Sequence, residues 1–143
     1  MEIKSVHVCF EVTDFKLAME FYGTLFQAGG FIKGWGDGST YVGYTLGFLT
    51  LFIGQSEQKR VNRLPPTGQE FVVTDHVGIS LGTREDVENI AGAMLKAGIK
   101  PLFPAQEYPE FGPGFFAVTF CDTDNNVIEF GHRAIPAGSI PPK

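Results

Sequence analysis

Shifting the chain by 69 residues lays it over itself. "HVCFEV", beginning at His7, falls on "HVGISL", beginning at His76. Further along, Phe21 falls on Ile90, Leu25 on Met94, Phe26 on Leu95, Ala28 on Ala97 and Gly29 on Gly98. One offset thus carries a strand-like alternation, a helical apolar stripe and a glycine terminator together, which marks a duplicated supersecondary unit. A chain built this way has to fold each half on the same plan and bury both.

The first helix is expected near Asp14 to Ala28, capped by Thr13 or Asp14, with Leu17, Ala18, Phe21, Tyr22, Leu25 and Phe26 as a broad apolar stripe. Gly29-Gly30 ends it. The second is expected near Thr83 to Ala97. It opens on "TRED", a capping box with Asp in place of the usual Glu, buries Val87, Ile90, Met94 and Leu95, and stops at Gly98. After each helix come strand-like runs: "GGFIKGWG", "STYVGYTLG" and "FLTLFIG" in the first half, "IKPLFP", "GFFAVTF" and "NVIEFGH" in the second. "CDTDNN" reads as a hairpin turn in which Asn125 or Asn126 takes the left-handed conformation. The predicted fold class is α+β, two βαβββ modules over 1–54 and 71–133, joined by a polar linker over 55–70 and followed by a loose tail over 134–143. At 143 residues this is one domain overall.

Side chains alternate faces along a strand. Val6, Val8, Phe10 and Val12 share one face of the first strand, and His7, Cys9 and Glu11 the other. Later, Val77, Ile79 and Leu81 oppose His76, Gly78 and Ser80, while Ile128 and Phe130 oppose Val127, Glu129 and Gly131. The apolar faces have to meet the helices, which leaves His7, His76 and Glu129 on the other side among small residues, as on a cavity wall. A lone His or Glu on a strand is ordinarily a hydrogen-bonded or solvated residue, so alternation does not by itself make these three a site.

A net charge of −5 without a Lys/Arg cluster argues against a nucleic-acid-binding face. No run of about 18 apolar residues suggests a membrane span. The first ten residues do not read as a signal peptide, and Cys9 and Cys121 are widely spaced, so a reduced, cytoplasmic protein is expected.

"HVCFEVTDFKLAMEFYGTLFQAGGF" resembles the opening module of the vicinal-oxygen-chelate superfamily, which includes glyoxalase I, extradiol dioxygenases, fosfomycin-inactivating enzymes and bleomycin-resistance proteins. "DHVGISLGTREDVENIAGAMLKAGI" resembles the start of the second module and "YPEFGPGFFAVTFCDTDNNVIEF" its end, with Thr123 and Asn125 where Pro and Gly are common. The resemblance covers about residues 5–131 and implies paired modules forming a curved mixed sheet around a cavity with a divalent metal ion. Carried over position by position, His7 and His76 match the first-strand ligands and Glu129 the last-strand carboxylate. A fourth ligand, a Glu in glyoxalase I, falls on Thr50 in the motif alignment, which leaves two His and one carboxylate. Such a set suits Fe(II), Mn(II), Zn(II) or Ni(II) with positions open for the vicinal oxygens of a substrate.

Trp35 and Tyr41 in the first half, and Tyr108, Phe111 and Phe116 in the second, are the candidate substrate-binding aromatics, with Tyr44 and Phe115 beside them. Glu11 and Glu107 are candidate general bases, and His132 a candidate proton shuttle. The leading expectation is a small cytoplasmic metalloenzyme, a homodimer, with isomerase, lyase, dioxygenase or resistance-type transferase chemistry on a small molecule. The competing expectation is a metal-free drug- or ligand-binding protein of the bleomycin-resistance type, for which the Phe and Trp content speaks.

Overall fold

The protein is described by a computed structural model over residues 5–56 and 76–133. Residues 57–70 of the expected linker, the start of the second module (71–75) and the 134–143 tail lie outside the described residues. The chain divides into two compact units, Met1–Asp75 with Asp122–Asn126, and His76–Cys121 with Val127–Lys143.

The first unit runs β1 (Val6–Val12), α1 (Phe15–Ala28), β2 (Ile32–Gly36), β3 (Tyr41–Leu46) and β4 (Leu49–Gln55). Its sheet order is β1-β4-β3-β2, with β1 and β4 parallel and the other pairs antiparallel. The second unit repeats this with β5 (Val77–Ser80), α2 (Arg84–Lys96), β6 (Phe103–Glu107), a 3-10 turn (Pro109–Phe111), β7 (Phe115–Cys121) and β8 (Val127–Arg133). Its order is β5-β8-β7-β6, again with the first pair parallel. The expected βαβββ order is present twice, and the fold is α+β, with a four-stranded mixed sheet in each unit.

The helix ends follow the sequence signals. Asp14 caps α1 by accepting from the Leu17 amide at 2.9 Å. Thr83 caps α2 in a closed capping box, in which its hydroxyl accepts from the Asp86 amide and the Asp86 carboxylate accepts from the Thr83 amide. At the far end the repeat slips by one residue. The left-handed glycines are Gly30 and Gly98, each followed by an amide that returns to the carbonyl of Phe26 or Met94. Those two residues are both fully buried, so Phe26 corresponds to Met94. Leu95, expected in the core, is exposed and Ala91 is buried instead; Leu17 is exposed as well.

Each core lies between helix and sheet. Tyr22, Leu25 and Phe26 of α1 are buried together with Val42, Tyr44, Leu51 and Ile53. Val87, Ile90 and Met94 of α2 are buried together with Val118, Phe120, Ile128 and Phe130. Burying each such side chain contributes roughly 1.5–3 kcal/mol.

The "CDTDNN" stretch is the β7–β8 turn, and Asn125 is its left-handed residue, with φ 66°. Asp122 holds the turn closed by accepting from the amides of Asp124 (2.9 Å) and Asn126 (2.8 Å). Its other oxygen accepts from the buried Tyr22 hydroxyl at 2.7 Å and from the Asn126 side-chain amide at 2.8 Å. Asp124 in turn accepts from the amide and hydroxyl of Thr13, next to the start of α1. Tyr22→Phe is expected to lower the unfolding free energy by about 1–2 kcal/mol, since it removes a donor from a buried carboxylate. Asp122→Ala, which removes the acceptor for all four bonds, is expected to cost more. Urea titration of both variants measures this, and unchanged midpoints would contradict the role assigned to the turn.

Candidate metal-binding face and its aromatic wall

In the second unit the register places Val118, Phe120, Ile128 and Phe130 toward α2. The opposite face of β8 carries Val127, Glu129, Gly131 and Arg133, next to Gly78 and Ser80 of β5 and Ala117 and Thr119 of β7. His76 precedes β5 on this face. Its Nε2 lies 3.9 Å from Glu129 Oε1, with the imidazole more exposed than the carboxylate. Gly78 floors the pair. A Cβ there would stand 3.6 Å from Glu129 Oε1 and 3.8 Å from His76 Nε2.

The pair carries donor types that could hold a metal ion. Two donors bound to one ion at about 2.0–2.2 Å stand about 3.0–3.5 Å apart, so small side-chain adjustments bring these two into range. An imidazole nitrogen and a carboxylate oxygen are also the donor types that Fe(II), Mn(II), Zn(II) and Ni(II) share. Among the described residues no group of three His, Cys, Asp or Glu side chains is placed to hold a metal ion.

His7 stands in the first unit, on β1, paired in register with Thr50. Its exposed ring meets Phe52 edge-on, with centroids 6.3 Å apart. Strand pairing corrects the motif alignment here. Gly78, which corresponds to Cys9, pairs with Glu129, whereas Cys9 pairs with Phe52. Likewise Val77 pairs with the buried Ile128, and Val8 with the buried Leu51. The counterpart of Glu129 in the first unit is therefore Phe52, not Thr50. Thr50 instead shares a hydroxyl hydrogen bond of 3.1 Å with Thr45. Phe52 lies against Gly43, where any Cβ would come within 2.7 Å of its ring and 2.9 Å of the Trp35 Cβ. Trp35, paired with Gly43, and Tyr41, paired with Gly54, are both exposed. Tyr44 is on the helix side, fully enclosed against Phe26, and burial raises its pKa above the ordinary phenol value.

The aromatic residues of the second unit separate by strand parity. Phe116 pairs with His132 on the α2 side, is buried, and carries the Arg84 guanidinium 4.0 Å above its ring. Arg84 is also ion-paired to Glu88 at 2.9 Å and to Glu107 at 3.0 Å, which commits the Glu107 carboxylate to that side. His132 Nδ1 lies 3.3 Å from the Leu81 carbonyl oxygen. Phe115 is on the Glu129 side, and its ring covers Gly131, where a Cβ would stand 2.9 Å away. Phe111 meets Phe115 edge-on at 6.2 Å, and Tyr108 lies 6.4 Å from Phe111. The Tyr108 hydroxyl donates to the Pro104 carbonyl at 2.8 Å. Burial raises the Tyr108 pKa; the Glu110 and Glu129 carboxylates add to this and a Gln106 hydrogen bond opposes it. The phenol thus keeps its proton at neutral pH and belongs to the electrostatic neighbourhood of Glu129.

Two open hollows lie elsewhere in the first unit. One of about 650 Å³ is at the start of α1, beside Lys16 and Lys33; the other, about 330 Å³, borders Trp35. Neither includes a sequence-predicted ligand.

No protein-family model and no curated protein matches the chain. Solved structures do match. A glyoxalase/bleomycin resistance protein/dioxygenase from Alicyclobacillus acidocaldarius superposes with TM-score 0.65 at 17% identity, over 92% of both chains. Lactoylglutathione lyase from Agrobacterium tumefaciens gives TM-score 0.61 at 18% identity, over 88% of this chain and 90% of that one. A glyoxalase/bleomycin resistance protein from Catenulispora acidiphila gives TM-score 0.59 at 20% identity, over 92% and 98%. With a βαβββ unit present twice and these superpositions over nearly whole chains, the protein has the fold of the glyoxalase/bleomycin resistance protein/dioxygenase structures.

Proposed function

We propose that this chain is a metal-dependent enzyme of the vicinal-oxygen-chelate superfamily that acts on a small molecule able to bind a divalent ion through adjacent oxygens. The observation that carries this reading is the juxtaposition of His76 Nε2 and Glu129 Oε1 at 3.9 Å over Gly78, on the sheet face turned away from α2. His76 and Glu129 would hold the ion, with His7 as the third donor. When bound, the ion supplies Lewis-acid stabilisation of charge that develops on the substrate oxygens.

The chain's own residues would do the rest. Gly78 would leave room for substrate oxygens next to the ligands, and Phe115 and Phe111 would offer an apolar surface to the rest of the substrate. The protonated Tyr108 phenol, whose proton goes to the Pro104 carbonyl, adds no negative charge to the surroundings of Glu129. As the resemblance implies, the protein would work as a homodimer in the cytoplasm, with His7 of a second copy completing three protein ligands.

A second reading has its own support. In the first unit, the place of a ligating carboxylate is taken by Phe52, next to Gly43 and the exposed Trp35. That face suits a metal-free cleft for an apolar or flat ligand, as a binding protein of the bleomycin-resistance type would have.

Elemental analysis of protein purified without chelator separates the two. The enzyme reading predicts one divalent ion per chain, lost in His76→Ala and Glu129→Gln and weakened in His7→Ala while the folded state is retained. Full occupancy in all three variants, or none in the wild type after reconstitution with Mn(II), Fe(II), Zn(II) or Ni(II), contradicts it. The corrected register adds a second expectation. Phe52→Glu, by placing a carboxylate at the counterpart of Glu129, should tighten metal binding by about tenfold or more, as a further anionic ligand does. A competition titration against a chromogenic chelator reads this, and unchanged or weaker binding would count against the correspondence.

A further inference from the structure

The Glu129 face of β8 ends in a cation that the metal reading does not use. Glu129, Gly131 and Arg133 are alternate residues on one face, so Arg133 stands roughly 13 Å along the strand from Glu129. Its guanidinium is held by two contacts beside a glycine. The group lies 4.6 Å above the Phe115 ring. Nη1 donates to the Phe111 carbonyl at 2.9 Å. Gly112, at φ 120°, leaves space where a Cβ would come within 3.2 Å of Nη1. Among the described residues no carboxylate pairs with Arg133, whereas Arg84, the arginine on the α2 side, has two.

A guanidinium stacked on one ring and fixed by one carbonyl keeps its remaining N–H donors as a fork, the geometry that matches a carboxylate or phosphate. Along β8 Gly131 stands between Arg133 and Glu129, and the Phe115 ring covers it, with Phe111 edge-on to that ring. We infer that Arg133 is a specificity residue that binds an anionic group, a carboxylate in the first instance, at the end of the substrate remote from its chelating oxygens. The inference rests on the metal reading for the location of the other end. The substrate class is then an elongated small acid, bidentate in oxygen at one end and anionic at the other, with a flat or apolar middle against Phe115.

The test uses two probes of equal shape: 3-(3,4-dihydroxyphenyl)propanoate, which carries vicinal oxygens and a carboxylate, and its neutral amide. Their affinities are measured by calorimetry on the full chain, with Mn(II) and after chelator treatment, for wild type, Arg133→Met, Arg133→Lys and His76→Ala. Wild type is expected to prefer the carboxylate by roughly tenfold or more, the gain of a charge-assisted hydrogen bond. Arg133→Met, which keeps an apolar stem over Phe115, should bring the ratio close to one, and Arg133→Lys should restore part of it. His76→Ala should weaken both probes alike and leave the ratio intact. A ratio that Arg133→Met does not change, or a wild type that does not favour the carboxylate, overturns the inference. Probe binding indifferent to Mn(II) and to His76→Ala, with the ratio still dependent on Arg133, overturns the metal reading and leaves the anion subsite standing.

Discussion

A four-stranded sheet packed under a single helix has two faces with opposite obligations, and that asymmetry governs everything else in this protein. The face under the helix has to be apolar, which fixes Leu51 and Ile53 in one unit and Val118, Phe120, Ile128 and Phe130 in the other as the core. Because the strand period is two, the intervening residues are then forced onto the other face, which the helix leaves uncovered. His7, Cys9, Thr50 and Phe52 arrive there in the first unit, and Gly78, Thr119, Glu129 and Arg133 in the second. A shift of one residue in β8 would bury Glu129 under α2 without a partner and expose Ile128, so packing and chemistry share one register.

The two units have kept the backbone plan and diverged on the uncovered face. In the second, the position opposite Gly78 is a carboxylate beside an imidazole; in the first, the position opposite Cys9 is a phenyl ring against an imidazole. Both solutions are compatible with the same core, since neither residue faces a helix. The second unit has also gathered a polar-to-aromatic gradient along one strand, from Glu129 past Gly131 to Arg133 over Phe115. The first unit presents Phe52 and Trp35 against Gly43, with Tyr41 exposed beside Gly54 on the face that also carries His7 and Glu11. Duplication therefore supplies two similar walls with different side chains.

Much of this was legible in the residues. Alternation sorts Glu129 from Ile128 and Phe130 without structural help, and the Asp14 cap, the "TRED" capping box and the left-handed Asn125 all rest on local chemistry that a short window contains. Where the reading failed, the deciding information is not local. The motif alignment put Thr50 opposite the missing ligand because it counts along one strand, whereas the pairing of β1 with β4 assigns Phe52. The repeat offset shortens by one within the helices, since α1 has 14 residues and α2 has 13, and this moves Leu95 out of the core. In "FFAVTF" both faces of β7 are apolar or small, so the sequence does not reveal that Phe115, and not Phe116, shares the Glu129 face. Arg133 gave no signal at all, because an arginine near a strand end looks like any solvated cation until its ring, its carbonyl and its glycine are seen together.

The claim on which the functional account turns is that His7 completes, from a second copy, the site begun by His76 and Glu129. Doubly tagged heterodimers of His7→Ala with His76→Ala address this directly, by metal content after reconstitution. If the ligands are shared between subunits, one site in each heterodimer contains both mutations and the other contains neither, so one ion binds each heterodimer with wild-type affinity, while the His76→Ala homodimer binds none and the His7→Ala homodimer binds only weakly. A heterodimer without any site of wild-type affinity, or a chain that stays monomeric with its ion bound, would contradict the shared site.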